Sequence, residues 1–258
     1  MRKPIPKILL ALLAIGVIVL VFVLYPRKMA ETKISKNVSA VASTTPVVVK
    51  PAASSTIFKL PAIKNGMVPV LKRIETREKV VFLTIDDGVY KDQSEIDILA
   101  SSSLKASLFL TQTSILYEPE FFLPIQDQGS RIENHTLSHN TRMFKLSYAK
   151  QKAEICGMSD YINEQYGRRP VFFRPPGGKY SNDTLKAIAD CNMKAAVTWI
   201  ALIENGVIKY QTVQKLRPGD IVLMHFTPNF KKDIDAFMKA AKASGLQPTL
   251  LEDFAQAN

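Results

Sequence analysis

The chain holds only three histidines, and each stands beside an apolar, strand-like run. His135 and His139 are four residues apart in HTLSH, while His225 ends the run IVLMH. Another run, VVFLTIDDG, finishes in the paired carboxylates Asp86 and Asp87, and Arg174 closes a fourth before Pro175-Pro176-Gly177-Gly178. Imidazoles and carboxylates gathered at strand ends are the groups of a metal-assisted hydrolase. Two histidines and one carboxylate make the set used by catalytic zinc, with a position left open for water. On a helical turn, the i and i+4 spacing would let both imidazoles share one cation. Two adjacent carboxylates divide naturally into one ligand and one base, because a metal can take one while a cation holds the other. Gly88 lets the backbone turn, so that the adjacent side chains need not point to opposite faces. Arg174 is a permanent charge able to keep the base ionised. The stiff Pro-Pro turn is followed by exposed backbone amides that suit an oxyanion.

Taken singly, each motif has a plainer reading. A DDG triplet is usually a turn, a lone HxxxH a pair of satisfied histidines, and Arg-Pro-Pro a loop anchor. His225 alone is a core histidine after a buried strand. The combination, in this order and at strand ends, is what points to one site.

The elements that must position these groups follow from the alternation of β-rich and helical patterns after residue 80. Strands are predicted at 80–85, 106–111, 131–134, 171–174, 194–200, 220–225 and 248–251. Helices are predicted near 92–104, 117–128, 147–166, 181–191, 211–216 and 231–244. Ser181 and Asn182 offer cap chemistry, and Gly167 and Gly245 offer stops. Such alternation predicts a parallel sheet with helices outside. About seven strands favour a distorted (β/α) barrel, whose strand C-termini converge on one mouth.

The first fifty residues differ from the rest. They carry eight Lys/Arg and one Glu, whereas residues 51–258 carry 26 Lys/Arg and 22 Asp/Glu. The basic excess of the chain, formally +11, therefore lies mainly in the leader and the linker after it, and no nucleic-acid partner is expected. Ile8 to Tyr25 is uncharged and 18 residues long, enough to span a bilayer as a helix. Residues 1–28 are expected to be an uncleaved membrane anchor, with a cleaved signal peptide as the alternative; both place the rest of the chain outside the cytoplasm. Residues 29–60 are expected to be a flexible Ser/Thr/Ala/Pro tether, and residues 61–258 the catalytic domain, as a monomer. Outside the cytoplasm, Cys156 and Cys191 could bridge; two small buried thiols are the other reading.

Together these residues resemble the polysaccharide deacetylases (carbohydrate esterase family 4, the NodB-homology domain) over roughly 80–252. TIDDG at 84–88 is similar to the family's TFDDG, and HTLSH at 135–139 to its metal-binding motif. RPPGG at 174–178 is similar to its Arg-Pro-Pro-x-Gly segment, LMH at 223–225 to its Leu-x-His ending, and Trp199 to its pocket-wall tryptophan. The resemblance implies a metal-dependent N-deacetylase of N-acetylhexosamine units in a cell-envelope polysaccharide. One divalent ion, zinc first and cobalt, nickel or manganese as alternatives, would be held by Asp87, His135 and His139. Asp86 would be the general base, Arg174 its orienting partner and His225 the acid for the leaving amine. The Gly177 amide would face the oxyanion, with Trp199 and Leu223 lining the substrate pocket.

Two positions depart from the family pattern. Leu202 stands where an aspartate commonly tunes the acid histidine, with Glu204 nearby as a substitute, and Gly177 stands where many members have tyrosine. The first departure motivates a rival reading, a metal- and glycan-binding protein without turnover. A third reading is a metal-dependent amidase acting on a non-sugar amide. The loops 112–120, 140–147 and 202–212 are expected to set specificity.

Overall fold

The computed structural model describes residues 58–212 and 214–256. The expected anchor at 1–28, and the expected tether up to residue 57, lie outside the described residues. Among those described, no helix is long and apolar enough to cross a membrane.

The chain forms a half-barrel of mostly parallel strands with helices on its outer face. In chain order the strands are β1 (Phe58–Lys59), β2 (Val70–Leu71), β3 (Val80–Asp87), β4 (Ser107–Leu110), β5 (Arg131–Asn134) and β6 (Phe172–Phe173). They continue with β7 (Ala195–Val197), β8 (Ala201–Glu204), β9 (Val207–Tyr210), β10 (Ile221–His225), β11 (Gln247–Thr249) and β12 (Ala255–Gln256). The main sheet has ten strands in the order β2-β7-β6-β5-β4-β3-β10-β8-β9, and β11 pairs with β3. Every pairing in it is parallel except the β8–β9 hairpin. A separate two-stranded parallel sheet joins β1 to β12.

Residues along β3 alternate between two apolar layers, as strand geometry requires. Val81, Leu83 and Ile85 join Leu108, Leu110, Val222 and Met224 against helix residues such as Ile96, Leu99 and Phe237. Phe82 faces the other way, with Phe109, Phe172, Ile221 and Leu251, and fills the barrel interior. Each fully buried side chain of this size contributes roughly 1.5–3 kcal/mol. The register places Thr84, Asp86, Phe109, Leu223 and His225 on the same interior face. The reactive groups therefore sit on top of a packed apolar plug.

The helices start and stop where their caps direct. Asp92 caps Gln93–Ser102 in a reciprocal box with Glu95, and Ser181 caps Asn182–Asp190 with Thr184. Gly167, at φ 69°, ends Tyr148–Tyr166 in the left-handed conformation that favours glycine. The predicted segment 117–128 is a short 3-10 turn, Pro119–Phe122, leading into a helix over Leu123–Asp127.

Two expectations are corrected. Among the described residues no helix forms at 211–216, a segment that follows the β8–β9 hairpin. Asn205 and Gly206, at φ 55° and 76°, make the tight turn of that hairpin. Both residue types accept left-handed backbone, so an Asn-Gly pair reverses the chain before a helix can begin. The strand predicted at 194–200 ends at Val197, and the chain re-enters the sheet at Ala201 as β8, beside β10 and not β6. The two cysteines form a disulfide, with Cα atoms 5.1 Å apart, joining helix Tyr148–Tyr166 to the end of helix Asn182–Asp190.

Candidate active site

Asp86 and Asp87 end β3, yet both reach the barrel mouth. In a continuing strand the second side chain would point into the helix layer. Asp87 instead takes φ 74°, and the Gly88 amide donates to the Asp86 carbonyl across the tight turn (3.0 Å). The turn thus lies at Asp87 itself, a residue type that tolerates left-handed backbone. Gly88 is needed for a further reason. At φ 78°, a Cβ there would lie 2.9 Å from both Ile115 Cγ2 and Phe122 Cζ.

His135 follows β5 directly. The HTLSH segment is not helical, which corrects the expectation of a helical turn. Thr136 and His139 take φ 76° and 53°, and these reversals bring the imidazoles together with ring centroids 4.9 Å apart. Hydrogen bonds hold the loop in place: the Asn134 Oδ1 accepts from the Thr136 amide (2.9 Å), and the Thr136 hydroxyl from the His139 amide (3.0 Å). Glu154, on helix Tyr148–Tyr166, accepts from the Ser138 amide and hydroxyl.

Asp87 Oδ1 lies 3.4 Å from His135 Nε2 and 3.2 Å from His139 Nε2. One ligand atom from each of the three residues falls within 4.8 Å of the others. The same Oδ1 is buried without a hydrogen-bond partner. The His135 Nδ1–H donates to the Arg174 carbonyl (2.7 Å), so its Nε2 lone pair faces the cluster. An acceptor oxygen without a donor, met by imidazole nitrogens, fits a divalent cation. Burial works to raise the Asp87 carboxyl, but the three neighbouring imidazoles, His135 first, hold it below its ordinary value. Burial also disfavours charge on His135, yet Asp86 and Asp87 outweigh it and raise that imidazole, while burial and His135 lower His139.

Asp86 has a different environment. It is buried, and its Oδ1 accepts from Arg174 Nη1 at 2.6 Å; its Oδ2 lies 3.6 Å from His135 Nε2. Arg174 is itself fully buried and spends its donors on several acceptors. Nη1 also reaches Thr84 Oγ1 (2.8 Å), and Nε the Val197 carbonyl (3.2 Å). Its guanidinium stacks 4.2 Å above the Phe109 ring and 5.7 Å from that of Trp199. Burial pushes the guanidinium below its ordinary value, opposed by Asp86. Thr84 and Phe109 were not singled out from the sequence. Their signal was register, since Thr84 precedes Asp86 by two and so shares its face.

His225, at the end of β10, pairs in register with Asp86, and its Nε2 lies 3.9 Å from Asp87 Oδ2. Like His139 it is about a third exposed, whereas His135 is buried. Leu223 is buried two residues earlier on the same face. Leu202 pairs with Leu223 in the sheet and supplies no carboxylate. Glu204 is exposed and salt-bridged to Lys209 at 2.6 Å. Gly177, at φ 63°, and Gly178 form a 3-10 turn against Trp199, where a Cβ on Gly178 would meet Trp199 Cη2 at 3.1 Å. Of the loops expected to set specificity, 112–115 is a short helix and 202–210 is mostly the hairpin, while 143–145 is a 3-10 turn. A groove of about 660 Å³ between that hairpin and helix Phe230–Ala243 shares no residue with this cluster.

Comparison with known proteins agrees with the geometry. The polysaccharide deacetylase family model matches residues 73–196. An uncharacterised protein of Streptomyces coelicolor is 34% identical over 192 residues, covering 72% of this chain and 77% of that protein. A peptidoglycan-N-acetylglucosamine deacetylase of Bacillus cereus is 27% identical, covering 62% of this chain and 61% of the enzyme. Among solved structures, a family 4 carbohydrate esterase pseudoenzyme from Bacillus anthracis superposes with a TM-score of 0.64 at 23% identity, covering 72% of this chain and 68% of that one. This last likeness is one of fold.

Proposed function

The chain belongs to the polysaccharide deacetylase family, and from that premise we propose that it hydrolyses acetamide groups on N-acetylhexosamine units of a cell-envelope glycan. The observation that carries the proposal is the division of the two aspartates. Asp86 is locked to a buried arginine, while Asp87 offers a partnerless oxygen to two histidines. A divalent cation, zinc first by its preference for two imidazoles and one carboxylate, would be held by Asp87, His135 and His139 and would supply Lewis acidity and acidify water.

The remaining chemistry belongs to the chain. Asp86 takes the proton of the attacking water as the new C–O bond forms, and Arg174 fixes the direction of that carboxylate. The Gly177 amide faces the developing oxyanion. His225, on the far side of Asp87, delivers a proton to the nitrogen as the C–N bond breaks, so that an amine and acetate leave. The Bacillus cereus relative, named for deacetylating peptidoglycan N-acetylglucosamine, supports the glycan as substrate. The Cys156–Cys191 bridge supports a location outside the cytoplasm, in keeping with an anchored leader.

The test is acetate release by the full chain from peptidoglycan and from chitin-type oligomers, with and without chelator. Release should require metal. Asp86→Asn should retain metal, measured by elemental analysis, yet lose about 10²- to 10⁴-fold in rate, the usual worth of a general base. Full activity of that variant would overturn the roles assigned. A second reading, glycan binding without turnover, is favoured by Leu202, which leaves His225 without a buried carboxylate partner. Glycan retention with no acetate from any substrate would select it.

A further inference from the structure

A cleft of about 280 Å³ opens beside the reaction centre, lined by Lys72, Gly177, Gly178, Tyr180, Trp199 and Gln211. We infer that this cleft is a subsite for a carboxylate-bearing substituent of the glycan, with Lys72 as the group that recognises it. The inference rests on the glycan reading above and adds the substrate class.

Position comes first. Gly177 and Trp199 belong to both the cleft and the reaction centre, and the Arg174 guanidinium stands 5.7 Å from the Trp199 ring. Whatever fills the cleft therefore neighbours the acetamide. The volume lies near the lower end for small-ligand pockets, about 300 Å³, which suits one sugar ring or its substituent and not a length of polymer.

Charge comes second. Lys72 has no acidic partner among the described residues, and no carboxylate lines the cleft. The contrast with the next residue is sharp. Arg73 is bound by Glu75, Asp220 and the Pro218 carbonyl. The backbone beneath Lys72 is fixed, because the Leu71 carbonyl accepts from the Thr198 amide (2.8 Å) and hydroxyl (3.4 Å). Gln211 is fixed likewise, its amide donating to the Ile200 carbonyl (3.0 Å). The exposed side chains of Lys72, Tyr180 and Gln211 bring an ammonium, a phenol and a carboxamide to the lining of the cleft, beside the Trp199 ring. An ammonium favours a carboxylate over a neutral hydroxyl, because the hydrogen bond between two charged groups is the stronger.

The carboxylate could belong to a lactyl ether on the sugar or to a stem peptide joined to it, and the experiment separates these sources. Binding to the full chain is measured for three probes of equal glycan length: a chitin oligomer, a peptide-free oligomer bearing lactyl ethers, and the same oligomer carrying peptide stems. Wild type should prefer an anionic probe over the chitin oligomer by roughly two- to fivefold, the range of an exposed ion pair, and 0.5 M salt should remove the preference. Lys72→Ala should bring the ratio of dissociation constants close to one, and Lys72→Arg should restore it. A preference for the peptide-bearing probe alone would assign the carboxylate to the peptide. No preference in wild type, or a ratio unchanged in Lys72→Ala, would overturn the inference. Absence of acetate release with the binding ratio intact would count against the deacetylase reading and support the subsite.

Discussion

Arg174 and Asp86 form an ion pair that water scarcely reaches, and pairs of this kind behave asymmetrically. Replacing both partners with apolar groups can cost little, but removing one leaves a buried charge and costs about 3–5 kcal/mol. Arg174→Met should therefore destabilise the protein by that amount in denaturant unfolding, besides abolishing acetate release. A loss below about 1 kcal/mol would contradict a buried ion pair. Arg174→Lys should also fail to restore activity. A single ammonium cannot serve Asp86, Thr84 and the Val197 carbonyl together, as the planar guanidinium does.

At the scale of elements, what could be read from the sequence and what could not divide along physical lines. The apolar runs ending in Asp86, Arg174 and His225 were legible, because a buried parallel strand must be a continuous hydrophobic stretch and its end must be polar. The backbone of HTLSH was not, since nothing in those five letters announces left-handed residues at Thr136 and His139. The β8–β9 hairpin has its signal in Asn205-Gly206, although the apolar pattern around that pair is too short to mark two strands. β2 has only two residues, too few to show a pattern, so nothing in the sequence placed Lys72 near Trp199, more than a hundred positions later. The cysteine pair stood open because the sequence holds no distance. Its bridge closes a separation of 35 residues between two helices packed on the sheet. Replacing both cysteines with serine should lower stability by about 2–4 kcal/mol, read from thermal unfolding. No change in the midpoint would mean that the bridge constrains nothing in the unfolded chain.

For the whole molecule, glutamates outside the catalytic cluster, Glu95 and Glu252 among them, contribute to how stability varies with pH. Burial, together with the charge of Glu133, pushes Glu252 up to about 8, and burial pushes Glu95 up to about 8 against the hydrogen bond from the Asp92 amide. Glu252 accepts from the Ser107 hydroxyl, while the buried Glu133 accepts from Arg168 and from the Val171 and Phe172 amides. A raised carboxyl keeps its proton in the folded chain after the unfolded chain has lost it. Its stabilisation is therefore complete below the ordinary value of 4.5 and is lost as pH rises through about 8. Thermal midpoints should fall between pH 5 and pH 9, and the slope should flatten in Glu252→Gln and in Glu95→Gln, whose side chains stay neutral. An equal slope in both variants would place the effect elsewhere.

The His135 Nδ1–H donates to the carbonyl of Arg174, whose side chain grips Asp86. One residue thus serves as a common mount, its main chain steadying a metal-cluster imidazole and its side chain the proposed base. Thermal excursions of the strand end carry both together, and the offset between them is preserved. The chemistry can tolerate a breathing barrel mouth, provided that this one peptide unit moves as a rigid piece.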